Sequence, residues 1–182
     1  YRLTTTGCVT FYTVTVDPTP GPIVGPDSLC VGPVPTPYTA PGGGAWSINP
    51  SYAFIDGSGN VTGFPPGGPA VITYTHLVTG CIATKTIMIN PLPAPITGRT
   101  TVCVGDTIQL VTTSTGGRWT SSAPAIATIG SASGIVTGIT PGGARITYTL
   151  PTGCFVTYSV TVYPVPGPIV GADSVCQGDS VL

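Results

Sequence analysis

The sequence predicts an all-β protein made of repeated antiparallel β-sandwiches, and three observations predict it. Gly and Pro number 26 and 21 in 182 residues without a collagen-like Gly-X-Y period, so turns are frequent and a helical bundle is excluded. Between the turns, β-branched or aromatic residues alternate with polar ones, which is the period of half-buried strands. All six cysteines and both tryptophans obey one spacing of 73 residues: Cys8, Cys81 and Cys154; Cys30, Cys103 and Cys176; Trp46 and Trp119. A fixed period of that size marks one supersecondary unit repeated along the chain.

The junction between units is legible as a word: VDPTPGPIVG (16–25), INPLPAPITG (89–98) and VYPVPGPIVG (162–171) each carry Pro at three alternating positions. Within a unit, GNVTGFPPGGPAVITYT (59–75) parallels GIVTGITPGGARITYT (134–149). The expected organisation is therefore residues 1–17 as the last strands of one unit, two whole units over 18–90 and 91–163, and residues 164–182 as the first strand or strands of another. A split unit leaves strand edges unpaired, so the natural polypeptide is expected to be longer than this sequence. In chain order the strand signals are Phe11 to Val16, Val71 to Thr75, Ile108 to Val111 and Tyr158 to Val162. Turn signals at Gly43, Gly59, Gly67, Gly116, Gly134 and Gly142 leave room for about seven short strands per unit. Thr and Ser supply the polar faces, at positions that strand propensity alone explains.

RWTSSAPAIATIGSASGIVTGITPGGARITYT (118–149), with VGDTIQL (104–110) before it and FVTYSVTV (155–162) after it, resembles the bacterial immunoglobulin-like domains (group 2, intimin and invasin type) that occur in tandem in adhesins and giant surface proteins. The resemblance covers nearly the whole chain and implies immunoglobulin-like sandwiches in a bacterial surface or filament protein. The cysteine words and the Pro-rich junction look most like array proteins of Bacteroidota. The first unit departs from the pattern. VGPVPTPY (31–38) replaces VGDTIQLV, and Pro33, Pro35 and Pro37 make an irregular or edge strand the expectation there.

Two cysteines per unit, with no His partners and no CxxC spacing, read as disulfides of an oxidising, extracellular or cell-surface compartment. The candidates are Cys8, Cys30, Cys81, Cys103, Cys154 and Cys176, and three periodic pairings are open: Cys30 with Cys81, Cys81 with Cys103, or Cys30 with Cys154. In an immunoglobulin-like sandwich, Cys30 and Cys103 follow the first strand at one pole, while Cys81 and Cys154 precede the last strand at the other. A strand of about eight residues sets the poles roughly 25 Å apart, against the ~6 Å between Cα atoms that a disulfide allows. Stacked units bring unlike poles together, which favours an inter-unit Cys30–Cys154 staple and leaves the other cysteines to neighbours outside the sequence. An intra-unit bridge in a differently arranged sandwich stays open.

Five Lys and Arg, six Asp, no Glu and one His exclude broad classes of function. There is no basic patch for nucleic acid. At a mean hydropathy of +0.42, no apolar run approaches the eighteen or so residues of a spanning helix. Any signal peptide is expected to lie outside the sequence. No catalytic, phosphate-binding or calcium-binding motif occurs, so neither enzyme activity nor a cofactor or metal is expected. His76 reads as an incidental loop residue. Only Lys85 is a lysine, too few for a lysine isopeptide staple in every unit. Four of the Asp share one word, Asp-(Ser/Thr)-aliphatic, which resembles the O-glycosylation acceptor of Bacteroidota and makes Ser28, Thr107, Ser174 and Ser180 candidates. The plainer reading is a turn before a strand. Asn60-Val61-Thr62 is a formal N-glycosylation sequon. Trp46 and Trp119, at the third strand, are expected to fill the cores.

The function expected is structural: a rigid rod or extracellular filament whose partners are neighbouring repeats, other copies of itself and candidate glycans. The alternative is the stalk of a cell-surface adhesin whose binding domain lies elsewhere.

Overall fold

The computed structural model describes residues 4–49, 52–65, 67–171, 174, 176 and 177. The chain divides into two units, Tyr1–Pro91 and Leu92–Leu182. Each is a two-sheet β-sandwich.

The second unit is the more regular. Its first strand is split: β8 (Thr97–Gly98) pairs antiparallel with β10 (Thr107–Val111), and β9 (Thr101–Cys103) crosses to the other sheet and runs parallel to β15 (Phe155–Tyr163). With β11 (Arg118–Ser121), β12 (Ala127–Ile129), β13 (Ile135–Gly138) and β14 (Gly142–Thr149), the sheets are ordered β12-β13-β10-β8 and β11-β14-β15-β9. Lettered A to G in chain order, these are the D-E-B-A and C-F-G sheets of the immunoglobulin fold, the second extended by the returning half of strand A. Val102, Ile146, Tyr148, Val160 and Val162 from one sheet meet Ile108, Leu110, Ala127 and Val136 from the other, and Trp119 is 5% exposed among them. Their burial, at about 25 cal/mol per Å² of apolar surface, is what holds the sheets together.

The first unit repeats the plan with β1 (Ser28–Cys30), β2 (Thr36–Pro37), β3 (Gly44–Asn49), β4 (Ala53–Ile55), β5 (Asn60–Gly63), β6 (Gly68–His76) and β7 (Ile82–Asn90). The sheets run β1-β7-β6-β3 and β2-β5-β4, with β1 parallel to β7. The counterpart of the β8–β10 pairing is one antiparallel bridge between Val24 and Thr39. Strand β2 has two residues where β10 has five. Prolines 33, 35 and 37 remove the amides a ladder needs, so this sheet keeps only the pairs Thr36–Val61 and Pro37–Asn60 on that strand. Tyr38 takes the core place of Leu110: each is 1% exposed, and each N–H donates to the carbonyl of an equivalent glycine, Gly59 or Gly134. Trp46 is half-buried and packs against the core.

One predicted strand does not form. Phe11 to Val16 belong to no named strand, and Phe11 and Tyr12 are 89% and 91% exposed. Their counterpart β15 is held between β14 and β9, and among the described residues no named strand pairs with Phe11 to Val16. Residues 164–171 likewise lie outside the named strands, and Ile169, whose counterparts Ile23 and Ile96 are buried, is exposed. Among the described residues no helix is long and apolar enough to cross a membrane.

Candidate functional site

Cys30, Cys81, Cys103 and Cys154 sit at the ends of the sandwiches, and each unit has two unlike poles. In the second unit the pole at which the chain arrives is tied by a run of hydrogen bonds. The Ala94 N–H donates to Ser114 Oγ at 2.8 Å, the Tyr148 hydroxyl donates to the Ser114 carbonyl at 2.9 Å, and the Gly117 N–H donates to that hydroxyl at 2.9 Å. Two residues beyond Tyr148, the Leu150 N–H donates to the Cys154 carbonyl at 2.8 Å and closes the β14–β15 hairpin. Cys154 is fully buried there. At the opposite pole, Cys103 ends β9 beside Tyr163, and the Val104 N–H donates to the Tyr163 carbonyl at 2.9 Å.

The first unit is arranged alike. Cys81 opens the last strand from a hairpin in which the His76 N–H donates to the Cys81 carbonyl and the Gly80 N–H donates to the His76 carbonyl, both at 2.9 Å. Gly80 holds φ of 70°, Gly153 of 86° and Gly7 of 70°, the left-handed region that glycine enters without strain. The arriving chain passes this pole, with the Cys81 thiol 3.9 Å from the Asp17 carbonyl. Cys30 lies at the other end of β7, level with Asn90. Nine residues of β7 separate the two cysteines, roughly 30 Å. The Cys30–Cys81 pairing is therefore out of reach within the unit.

Of the six candidate cysteines, Cys30 and Cys154 are disulfide-bonded. Cys8, Cys81, Cys103 and Cys176 are free thiols, so the Cys81–Cys103 pairing does not form either. A signal within the sequence marks one class of these positions: Thr-Gly precedes Cys8, Cys81 and Cys154 alike, spelling the turn that presents them. The composition of the poles, above all Ser114 and Tyr148, carries no comparable signal, because hydroxyl residues are everywhere in this chain.

The glycan candidates fall on exposed positions: Ser28 in β1, Thr107 in β10 and Ser174. Ser180 lies outside the described residues. Asp27 beside Ser28 is paired with Lys85 Nζ at 2.6 Å, and that hydrogen bond, with the lysine charge, holds its carboxyl below the ordinary 3.8. Asn60 is half-buried and its side-chain amide donates to Asp56 Oδ2 at 2.9 Å, which occupies the nitrogen a sequon would glycosylate. The same bond leads the interactions that lower the Asp56 pKa. Thr107 opens on a shallow cleft of about 360 Å³ shared with Arg99, Cys103, Asp106 and Tyr163. His76 ends β6, its Nδ1 3.2 Å from Thr79 Oγ1, a contact within its own hairpin. Among the described residues no three His, Cys, Asp or Glu side chains group as metal ligands would.

No family model matches the sequence, and no curated protein matches it. Parts of the chain are similar to solved structures. The C-terminal 282-residue fragment of intimin, in complex with the intimin-binding domain of the translocated intimin receptor, is 14% identical over 65% of this chain and 50% of that one, with a TM-score of 0.41. Domains 4 and 5 of the surface-layer protein SbsC are 19% identical over 72% of this chain and 84% of theirs, with a TM-score of 0.31. The insect immune protein hemolin is 13% identical over 80% of this chain and 47% of its own, with a TM-score of 0.37. The chain spans about half the length of the intimin fragment.

Proposed function

We propose that this chain is a non-enzymatic structural segment of a long extracellular or cell-surface bacterial protein, in which successive immunoglobulin-like units are stapled by disulfides into a rigid rod or filament. One observation carries the reading: Cys30 and Cys154 are oxidised while the cysteines equivalent to them are free. We assign Cys30 and Cys154 to each other. Cys30 marks the pole at which β7 ends, and Cys154 marks the pole at which the chain arrives in the next unit. The six junction residues 91–96, three of them Pro, keep Asn90 and Thr97 within about 25 Å even when fully extended. A bridge of this register joins residues 124 apart, and it gives Cys81 and Cys103 partners in units before and after this sequence.

The boundaries that go with this reading are units at 18–90 and 91–163, with 1–17 and 164–182 belonging to flanking units. Disulfides persist in oxidising compartments, which supports the extracellular or cell-surface reading. Pro at the junctions stiffens them, and so few Lys and Arg leave trypsin-like proteases little to cut. Ser28, Thr107 and Ser174 are exposed enough to accept sugars, which mass spectrometry of native material would detect as hexose-bearing peptides.

Mapping without reduction after combined trypsin and chymotrypsin digestion tests the staple, because cleavage after Leu29, Tyr38, Leu77, Lys85, Arg99, Leu110, Tyr148 and Phe155 puts Cys30, Cys81, Cys103 and Cys154 on separate peptides. The expected product is Cys30 joined to Cys154, and Cys30 joined to any other cysteine overturns it. Electron microscopy of native, unreduced material tests the assembly. Uniform fibres with a regular axial repeat support the filament, whereas single beaded strands ending in a distinct head make the segment an adhesin stalk.

A further inference from the structure

We infer that β3 of the first unit is a pairing edge for β3 of a second copy of this chain, so that two copies join side by side through one continuous sheet. The inference deepens the filament reading above, and its geometry rests on the first unit alone. β3 is the last strand in the order β1-β7-β6-β3, so one side of it has no strand beside it. The Leu77 N–H donates to the Gly43 carbonyl at 3.2 Å, which makes 43 and 77 a bonded pair in line with the β3–β6 register. Alternation then turns the backbone groups of Ala45, Ser47 and Asn49 toward β6 and leaves the N–H and C=O of Gly44, Trp46 and Ile48 pointing outward. In the second unit the same edge is capped, because the Trp119 N–H donates to the Ser131 carbonyl at 2.9 Å. The matching turn of the first unit, Asp56 to Asn60 against Gly130 to Ile135, is one residue shorter, and among the described residues nothing accepts from the Trp46 N–H.

Sheet edges are ordinarily guarded by shortness, charge or proline, and the other edges here are. Strands β1, β2, β4, β8, β9 and β12 have two or three residues, and β11 opens on Arg118. The outer sides of β7 and β15 are crossed by Lys85 reaching Asp27 and by the Tyr158 hydroxyl donating to the Gly98 carbonyl at 2.7 Å. β3 has six residues, GAWSIN, with no charge and no proline. A second β3 is the partner that fits it. Antiparallel about a two-fold axis at Trp46, Gly44 of each copy faces Ile48 of the other and Trp46 faces Trp46, so three bonded pairs satisfy every outward N–H and C=O. The half-buried indoles then meet on one face of the joined sheet. On the other face Ala45 of each copy meets Ser47 of the other, both exposed, small and uncharged. A net charge of −1 over 182 residues leaves little repulsion between copies. The edge runs between the poles, so pairing here leaves both poles to the flanking units of the same polypeptide.

The test is sedimentation velocity of the full chain, oxidised and with its free thiols blocked by iodoacetamide, together with amide hydrogen exchange. A dimer is expected as concentration rises, with slower exchange at Gly44, Trp46 and Ile48 than in the dilute chain. Ala45→Lys/Ser47→Lys sets like charges opposite each other across the two-fold axis and is expected to weaken association by about tenfold. Ala45→Lys/Ser47→Glu sets opposite charges there and keeps the dimer. A monomer at every concentration, a dimer whose β3 amides exchange as fast as in the dilute chain, or equal association of the two variants overturns the pairing. Peptide mapping of the same samples separates this outcome from the staple: Cys30–Cys154 present in a monomer sinks only the lateral pairing, and a β3 dimer without Cys30–Cys154 sinks only the staple.

Discussion

Tyr148 ties three segments of the second unit with one hydroxyl, and Tyr74 makes the matching bond to the Gly42 carbonyl in the first. Both rings are buried and lie against a tryptophan, with centroids 4.7 Å apart in each unit. Tyr148→Phe leaves the Ser114 carbonyl and the Gly117 amide short of a partner, and a loss of about 1–3 kcal/mol is expected, read as a lower urea midpoint at unchanged slope. Glycine at 117 is required for space: a Cβ there would stand 2.5 Å from Tyr148 Cζ, whereas one at Gly143 meets nothing within 4 Å. Gly117→Ala is therefore expected to destabilise the unit by more than 1 kcal/mol, and Gly143→Ala to leave the same midpoint within about 0.5 kcal/mol. Titration gives a third check. Asp27, held below 3.8 by Lys85, contributes stability above pH 3.8 that is lost as pH falls through its depressed folded value. Lys85→Ala should return the Asp27 midpoint, followed by carboxyl NMR, to about 3.8. The Tyr38 phenol is pushed up to about 12, first by burial and then by the Asp27 charge. Its contribution is complete below pH 10 and disappears between 10 and 12, so Tyr38→Phe should flatten the alkaline arm of the stability curve.

Strand β2 shows what local chemistry does at the next scale. Three prolines shorten it to two residues, and its sheet has three strands where the second unit's has four. Amide exchange should accordingly be faster in β2 and β5 than in β10 and β13, and comparable exchange in the two pairs would mean that Tyr38 burial compensates for the lost ladder. This irregularity was legible, because proline's missing N–H is a local property. The failure of Phe11 to Val16 to form a strand was not. Their alternation is the same as that of Phe155 to Val162, but a central strand exists only through its neighbours, and pairing is a property of other segments. The glycan words show the same limit. The sequence names Ser28 and Thr107, while their placement on exposed positions beside a paired Asp27 and a cleft is a tertiary fact.

For the molecule as a whole, the proposed staple closes a loop of more than a hundred residues, and chain-entropy arguments put its worth at about 5 kcal/mol. Reduction, or Cys30→Ala, is expected to lower the thermal midpoint of the oxidised chain, and Cys103→Ala to leave it unchanged; equal effects of the two variants would mean that the bridge does not carry load. The sequence by itself determined the all-β class, the period of 73 residues, the strand alternation and the weak second strand of the first unit. Each of these follows from local propensity or from self-similarity, which need no knowledge of what lies opposite. Only the tertiary structure decided which sheet each half of the first strand joins, and that Cys30 and Cys154, the two the expected pole positions already favoured, are the oxidised ones. Those outcomes depend on distances between residues far apart in the chain, and the nine residues of β7 hold Cys30 and Cys81 at the opposite poles that their places in the strand order implied.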